Sequence, residues 1–191
     1  MTPPGTRKRD IKKALKYGMI GDGTTVLEKF QSAKAAGFEG VEIDSPSDLD
    51  LEEVKAAMKE TGLVVPGVVD SVHWQQCLSD PDPAVRAKGV AALEGALRDA
   101  KTVGATTVLL VPGVVNNNVT YGEVWTRSQE EIRKVLPLCE ELDVKIAIEN
   151  VWNGFLMGPH KAARYLDEID SPYVGFYFDV GNVVRYARPD T

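Results

Sequence analysis

Residues 145–153, with the sequence KIAIENVWN, predict a short strand that ends on a carboxylate, Glu149. The pattern recurs at residues 174–179, where an apolar strand ends on Asp179. Burying a carboxylate is costly unless it reaches water, a cation or a reacting group. In a parallel sheet the carboxyl ends of successive strands converge on one rim, where active sites are built. We therefore predict that Glu149 and Asp179 line a single site.

The remainder of the chain predicts alternating strands and helices. Four further strands are expected, at residues 14–20, 41–44, 63–69 and 107–111. Helix starts are indicated by capping boxes, in which a Ser, Thr or Asp is followed three residues later by Glu, and by a proline in the first helical turn. These signals predict helices at residues 26–36, 51–61, 83–103, 129–142 and 159–169, with the boxes Thr25/Glu28, Asp50/Glu53 and Ser128/Glu131. Residues 112–125 are expected to form a long functional loop.

Strict βα alternation with apolar strands indicates a parallel sheet covered by helices, either open and doubly wound or closed into a barrel. The turn after the first strand, residues 21–24, does not match the glycine-rich phosphate loop of doubly wound folds. Acidic residues at Glu42, Asp44, Glu149 and Asp179 suit the polar mouth of a barrel. We therefore predict an α/β fold of the (β/α)8 TIM-barrel type.

A complete barrel has eight βα units and about 250 residues, whereas this chain has 191 residues and accounts for about six strands. We expect one incomplete barrel domain over residues 13–191, preceded by a flexible leader at residues 1–12. The chain is then a fragment, or a partner supplies the remaining strands, or the sheet stays open. Unpaired strand edges favour association, so a homo-oligomer is expected.

Composition excludes several classes of protein. The net charge of −6 argues against a nucleic-acid partner, because such proteins usually carry a basic face. No segment is long and apolar enough to predict a membrane span or a signal peptide, so we expect a cytoplasmic protein without a membrane partner. Two cysteines, Cys77 and Cys139, are too few for a disulfide framework or a zinc site and are expected to be reduced.

Four segments together resemble the sugar-phosphate isomerase/epimerase group of the xylose isomerase-like barrel superfamily, which includes ketose 3-epimerases and the L-ribulose- and L-xylulose-5-phosphate 3-epimerases. They are GFEGVEID at 37–44, VLLVPG at 108–113, IENVWN at 148–153 and FDVGN at 178–182. The resemblance implies that Glu149 and Asp179 bind a divalent metal, Mn²⁺ or Mg²⁺ before Zn²⁺. It also implies two further ligands, a histidine and a glutamate on strands seven and eight, and the sequence ends before these.

The implied function is a metal-dependent sugar or sugar-phosphate isomerase or epimerase. Such an enzyme removes a proton next to a ketose carbonyl and passes through an enediolate, and the resemblance makes Glu149 both metal ligand and acid/base. A non-catalytic sugar-binding or scaffold protein is the alternative from a different class. An endonuclease IV-like repair enzyme is disfavoured, because it needs a histidine-rich zinc site and the chain has two histidines.

Three polar residues on the expected rim are candidate substrate contacts: His73, Asn153 and Asn182. For His73 a purely structural role is an equally good interpretation, and Asn153 could instead satisfy the loop backbone. Trp152 is expected to be a packing residue, and His160 is expected at the surface.

Overall fold

The computed structural model describes residues 11–185. Six parallel strands form one sheet in chain order: β1 (Ala14–Lys16), β2 (Gly40–Ser45), β3 (Gly67–Asp70), β4 (Thr107–Leu110), β5 (Lys145–Glu149) and β6 (Val174–Tyr177). Helices follow the strands: α1 (Val26–Ala35), α2 (Leu51–Thr61), α3 (Pro83–Val103), α4 (Tyr121–Leu142), α5 (Pro159–Ile169) and the short α6 (Val180–Val183). The predicted βα alternation and parallel sheet are confirmed.

Local sequence signals explain most helix boundaries. Thr25 caps α1 in a complete capping box with Glu28. Asp82 caps α3, whose first residue is a proline, and Gly104 ends that helix in the left-handed conformation at φ 76°. Asp50 caps α2, but its carboxylate accepts a hydrogen bond from the backbone N–H of Glu52, so the predicted box with Glu53 is not the bond that forms.

The two faces of the sheet have different roles. One face is apolar and fully buried against the helices, with Val41, Ile43, Val68, Val108, Leu110, Ile146 and Ile148 at 0% exposure. Burial of these side chains provides the main driving force for closing the helix layer onto the sheet.

The opposite face is concave and encloses a space that we call the lumen. Asp44, Val69, Leu109, Ala147 and Gly175 lie at one level of this face, because each pairs in register with its neighbour. Side chains of paired residues in parallel strands project to the same side of the sheet. The alternation of each strand therefore directs Glu42 and Glu149 into the same lumen.

Three predicted strand boundaries are wrong by two residues or more. The sixth strand, expected to end on Asp179, ends at Tyr177, and Asp179 is instead the N-cap of α6. The first strand is Ala14–Lys16 instead of 14–20, because a 3₁₀ turn at Tyr17–Met19 follows it. The third strand, expected at 63–69, is Gly67–Asp70, and Val64 forms only an isolated bridge to Gly40.

Helix α4 begins earlier than the predicted box indicates. Thr120 caps it, in a complete capping box with Glu123. The loop expected at 112–125 is therefore shorter than predicted, because its last residues belong to the helix. Ser128 lies inside the helix, where its hydroxyl hydrogen-bonds Tyr165 at 2.7 Å. Glu131, also inside, forms an ion pair with Arg86 at 3.0 Å.

The last described strand, like the first, is less buried than the four strands between them. All residues of β6 are partly exposed, and Phe178, Val180 and Val184 beyond it are 59%, 55% and 64% exposed. Most of the predicted leader at residues 1–12 lies outside the described residues. Within residues 11–185, no helix combines the length and apolar character needed to cross a membrane.

Candidate active site

The carboxylates of Glu149 and Asp179 meet at the carboxyl ends of β5 and β6. Glu149 is the last residue of β5 and pairs in register with Tyr177, so Asp179 follows two residues beyond on the same side. The two carboxyl groups are close enough for the charge of Asp179 to raise the pKa of Glu149. The structure therefore brings together the two residues that the sequence predicted to share a site.

The electrostatics of Glu149 are unusual for a glutamate. Burial, followed by the nearby charges of Asp179 and Glu42, raises the pKa of Glu149 to about 7, and Lys16 opposes the rise. Desolvation and like charges both disfavour the ionised form. A carboxyl group that titrates near neutral pH can both accept and return a proton.

Asn150 links the ends of the two strands. Its side-chain Nδ2 donates to the carbonyl oxygen of Asp179, and its Oδ1 accepts from the N–H of the same residue. Asn182 in turn donates from Nδ2 to the carbonyl oxygen of Asn150 at 2.9 Å, and its own N–H donates to Asp179 Oδ1 at 2.8 Å. The Asp179 carboxylate is thus oriented by the first turn of α6 while the backbone around it is held by β5.

Each of the three predicted substrate contacts has a hydrogen bond to the protein backbone. Asn153 is 4% exposed; its Nδ2 donates to Gly113 O at 2.7 Å and its Oδ1 accepts from Phe155 N–H at 3.0 Å. The side-chain Nδ2 of Asn182 donates to the carbonyl oxygen of Asn150. Asn182 lies beside Asp179, and contact of either asparagine with a substrate stays a prediction.

His73 lies after β3 and hydrogen-bonds the backbone of Val111, which follows β4. It is 6% exposed and packs edge-to-face on Trp74, with ring centroids 5.3 Å apart. Burial, followed by the charge of Lys16, lowers the pKa of His73 to about 4, whereas Asp44 acts in the opposite direction. The imidazole is therefore neutral at physiological pH. Its Nδ1 accepts from the Val111 N–H at 3.5 Å, so the ring proton is on Nε2, which is the donor.

Two contacts of the lumen were not anticipated from the sequence. Lys16 forms an ion pair with Asp44, with Nζ and Oδ1 2.8 Å apart. Tyr177 donates from its hydroxyl to Glu42 Oε1 at 2.6 Å. Strand alternation placed Glu42 and Asp44 on one face of the sheet. The same alternation could have placed Tyr177 on the face of Asp179. Which residues face each other across the lumen depends on the curvature of the sheet.

The prediction that Trp152 is a packing residue is wrong. It is 62% exposed, and its indole ring lies under the Arg185 guanidinium, 5.2 Å from ring centroid to Cζ, so it is not a packing residue. His160 is exposed, as predicted.

Comparison with known proteins adds independent information. The sequence profile described as xylose isomerase-like TIM barrel matches residues 30–191. L-ribulose-5-phosphate 3-epimerase UlaE from Escherichia coli O157:H7 (strain EC4115 / EHEC) is 28% identical over 172 residues, covering 84% of this chain and 61% of that protein. The chain therefore spans about three fifths of the length of the curated relatives that it matches.

Solved structures share the fold. The 3-keto-D-glucoside 4-epimerase YcjR from E. coli superposes with a TM-score of 0.79 at 21% identity, over 92% of this chain and 71% of that one. A D-psicose 3-epimerase from Clostridium cellulolyticum H10, solved with D-tagatose, gives 0.77 at 19% identity, over 91% and 65%. At these identities the likeness concerns the fold, and it confirms the predicted TIM-barrel class with part of the barrel in this chain.

Proposed function

The chain belongs to the xylose isomerase-like TIM barrel family, and on that premise we propose that it forms part of a metal-dependent sugar isomerase or epimerase. The observation that carries the proposal is the meeting of Glu149 and Asp179 at the ends of neighbouring strands, with the pKa of Glu149 raised to about 7. The names of the relatives, an L-ribulose-5-phosphate 3-epimerase and a D-psicose 3-epimerase, support a ketose or ketose phosphate as substrate.

The donor set fits a hard divalent cation. Two carboxylates held side by side repel each other, and a shared cation removes this repulsion. Oxygen ligands suit Mn²⁺ or Mg²⁺, and Zn²⁺ also accepts them. Within residues 11–185 no group of three His, Cys, Asp or Glu side chains is placed to hold an ion, so Glu149 and Asp179 would supply two ligands of a larger set. When bound, such a cation would stabilise negative charge on the substrate oxygens.

The proposed chemistry begins with proton abstraction by Glu149. Its carboxylate takes the proton from the carbon next to the ketose carbonyl, and the electron pair of that C–H bond forms the enediolate. Return of a proton to the same carbon completes the reaction. Inversion at that carbon needs a second acid on the opposite face, which the resemblance assigns to a glutamate of the eighth strand.

Cation binding is tested by calorimetric titration of Mn²⁺ into the purified protein. We expect uptake by the unmodified chain and a loss of at least about tenfold in affinity in Glu149→Gln and in Asp179→Asn. Asp167→Asn, which removes an exposed carboxylate on α5, is the matched control and should bind as the unmodified protein does. Equal affinity in all four proteins would place the cation elsewhere and refute the assignment.

Catalysis is tested by deuterium exchange. D-psicose, D-tagatose, L-ribulose and L-ribulose 5-phosphate are incubated in D₂O with the longest form of the protein that the gene encodes, and deuterium at C3 is followed by NMR. The proposal predicts exchange with at least one ketose and its loss in Glu149→Gln. Saturable sugar binding without any exchange would instead support the non-catalytic sugar-binding alternative.

A further inference from the structure

A hydrogen bond crosses the lumen between strands that are not neighbours. Tyr177 ends β6, and Glu42 lies in β2, with β3, β4 and β5 between them in the sheet. The Tyr177 hydroxyl nevertheless donates to Glu42 Oε1 at 2.6 Å. The bond has a charged acceptor, which makes it stronger than a bond between neutral groups. It therefore joins the last described strand to the opposite side of the curved sheet.

A glycine makes room for this contact. A Cβ atom added at Gly67 of β3 would lie 3.2 Å from Glu42 Oε1 and 3.0 Å from Thr107 Oγ1. Contacts this short would oblige the Glu42 carboxylate to move. The absence of a side chain at Gly67 thus leaves Glu42 free to reach across to Tyr177.

The end of β6 has few other contacts to hold it. Among the described strands β6 pairs with β5 alone, as the opposite edge strand β1 pairs with β2 alone, and each residue of β6 is partly exposed. Asn150 holds the backbone of Asp179 from the β5 side. Tyr177, two residues before Asp179, holds the same segment from the β2 side. The two anchors act from opposite directions and together restrict how far the Asp179 carboxylate can move relative to Glu149.

We propose that Tyr177 and Glu42 are positioning residues for the cation site formed by Glu149 and Asp179, acting through the hydrogen bond that spans the lumen. This inference rests on the proposed function, which supplies the cation site. Partners that orient metal ligands without touching the metal commonly change its affinity by about 10- to 100-fold when they are removed.

The first test needs no cation. Amide hydrogen exchange is measured at Asp179 and Asn182 in the presence of a chelator, in Tyr177→Phe, Glu42→Ala and Glu42→Gln. We expect exchange about tenfold faster in Tyr177→Phe and Glu42→Ala, the factor that corresponds to one charge-assisted hydrogen bond. Glu42→Gln retains an oxygen acceptor at the same position and should restore most of the protection.

The control is Tyr165→Phe. It removes another tyrosine hydroxyl with a hydrogen bond of similar length, 2.7 Å to Ser128, in a buried position outside the lumen. Its stability loss is expected to resemble that of Tyr177→Phe, but the exchange at Asp179 and Asn182 should not change. Unchanged exchange in Tyr177→Phe, or equal acceleration in Glu42→Gln and Glu42→Ala, would overturn the proposal.

The second test measures Mn²⁺ affinity in the same variants. We expect a loss of about tenfold or more in Tyr177→Phe and Glu42→Ala, a smaller loss in Glu42→Gln and none in Tyr165→Phe. Uptake by the unmodified protein with the same affinity in Tyr177→Phe refutes the positioning role. If the unmodified protein takes up no Mn²⁺, the cation site fails and the positioning role fails with it, whatever the exchange experiment shows of the hydrogen bond itself.

Discussion

The side-chain amide of Asn150 hydrogen-bonds both backbone polar groups of Asp179, with Nδ2 donating to the carbonyl oxygen at 2.8 Å and Oδ1 accepting from the N–H at 2.9 Å. A side-chain amide reproduces in this way the pairing that a neighbouring strand would supply. The end of β5 thereby extends the sheet beyond the last backbone pair of β6. The two candidate cation ligands are consequently fixed to each other through the main chain.

Replacing Asn150 by Asp tests this link with an isosteric change. The carboxylate keeps an acceptor for the Asp179 N–H but cannot donate to the Asp179 carbonyl oxygen, and it adds a negative charge beside Glu149. We expect the free energy of unfolding to fall by about 1–3 kcal/mol, measured by urea denaturation with a chelator present. Asn117→Asp, at an exposed position, should change it by less than about 0.5 kcal/mol. Equal effects of the two substitutions would show that the link contributes nothing.

Asp70 is expected to make the protein less stable as the pH rises. It is 1% exposed, and burial raises its pKa from 3.8 to about 6. At a pH between these two pKa values, the folded state binds the proton more tightly than the unfolded state does. The free energy of unfolding is therefore greatest below the unfolded-state pKa, and it decreases as the pH rises through the folded-state pKa. Asp70→Asn should therefore increase the free energy of unfolding at pH 7 by about 1–3 kcal/mol.

The gain from Asp70→Asn should disappear near pH 4, where the native carboxyl group is protonated in the folded protein. Denaturation curves at a series of pH values measure this directly. Asp48→Asn, which removes an exposed carboxylate, serves as the comparison. A gain that is the same at pH 4 and pH 7 would contradict the assignment of the effect to ionisation of Asp70.

His73 acts in the opposite direction over the same pH range. Burial and the charge of Lys16 lower its pKa from 6.5 to about 4, so the unfolded state binds the proton first and stability is lost as the pH falls below 6.5. Lowering the pH from 7 to 4 should reduce the free energy of unfolding of the unmodified protein by about 1–3 kcal/mol more than it reduces that of His73→Gln. His160→Gln changes the other histidine, which is exposed, and is the matched control. An equal change of the pH profile in the two variants would contradict the role of His73.

Two glycines in α3 give a prediction about packing. A Cβ atom at Gly89 would lie 2.2 Å from the carbonyl oxygen of Gln76, whereas one at Gly95 would have nothing within 4 Å. Gly89→Ala should destabilise the protein by more than about 2 kcal/mol, because backbone must move. Gly95→Ala should stabilise it by about 0.5–1 kcal/mol, the difference in helix propensity. Thermal unfolding of both variants decides the matter, and the same sign of change in both would contradict the structure.

Strand order, most helix starts and the meeting of Glu149 with Asp179 could be predicted from local sequence. Hydrophobic alternation and caps such as Thr25 act over a few residues, and a parallel sheet places all strand ends on one rim. The start of α4 could not be chosen this way, because Thr120/Glu123 and Ser128/Glu131 have the same spacing. Packing decided between them: Ser128 bonds Tyr165 and Glu131 pairs with Arg86, both far away in the sequence.

The contacts across the lumen were decided by tertiary structure alone. Alternation indicates that Glu42 and Tyr177 face the concave side, but only the curvature of the sheet brings β2 and β6 within hydrogen-bonding distance. The same holds for Asn150 and Asn153. They lie three residues apart in the sequence, but their side-chain amides donate to the backbone of different segments, at Asp179 and Gly113. Residue type and spacing determine which groups are available, whereas their partners depend on distances between segments that are remote in the chain.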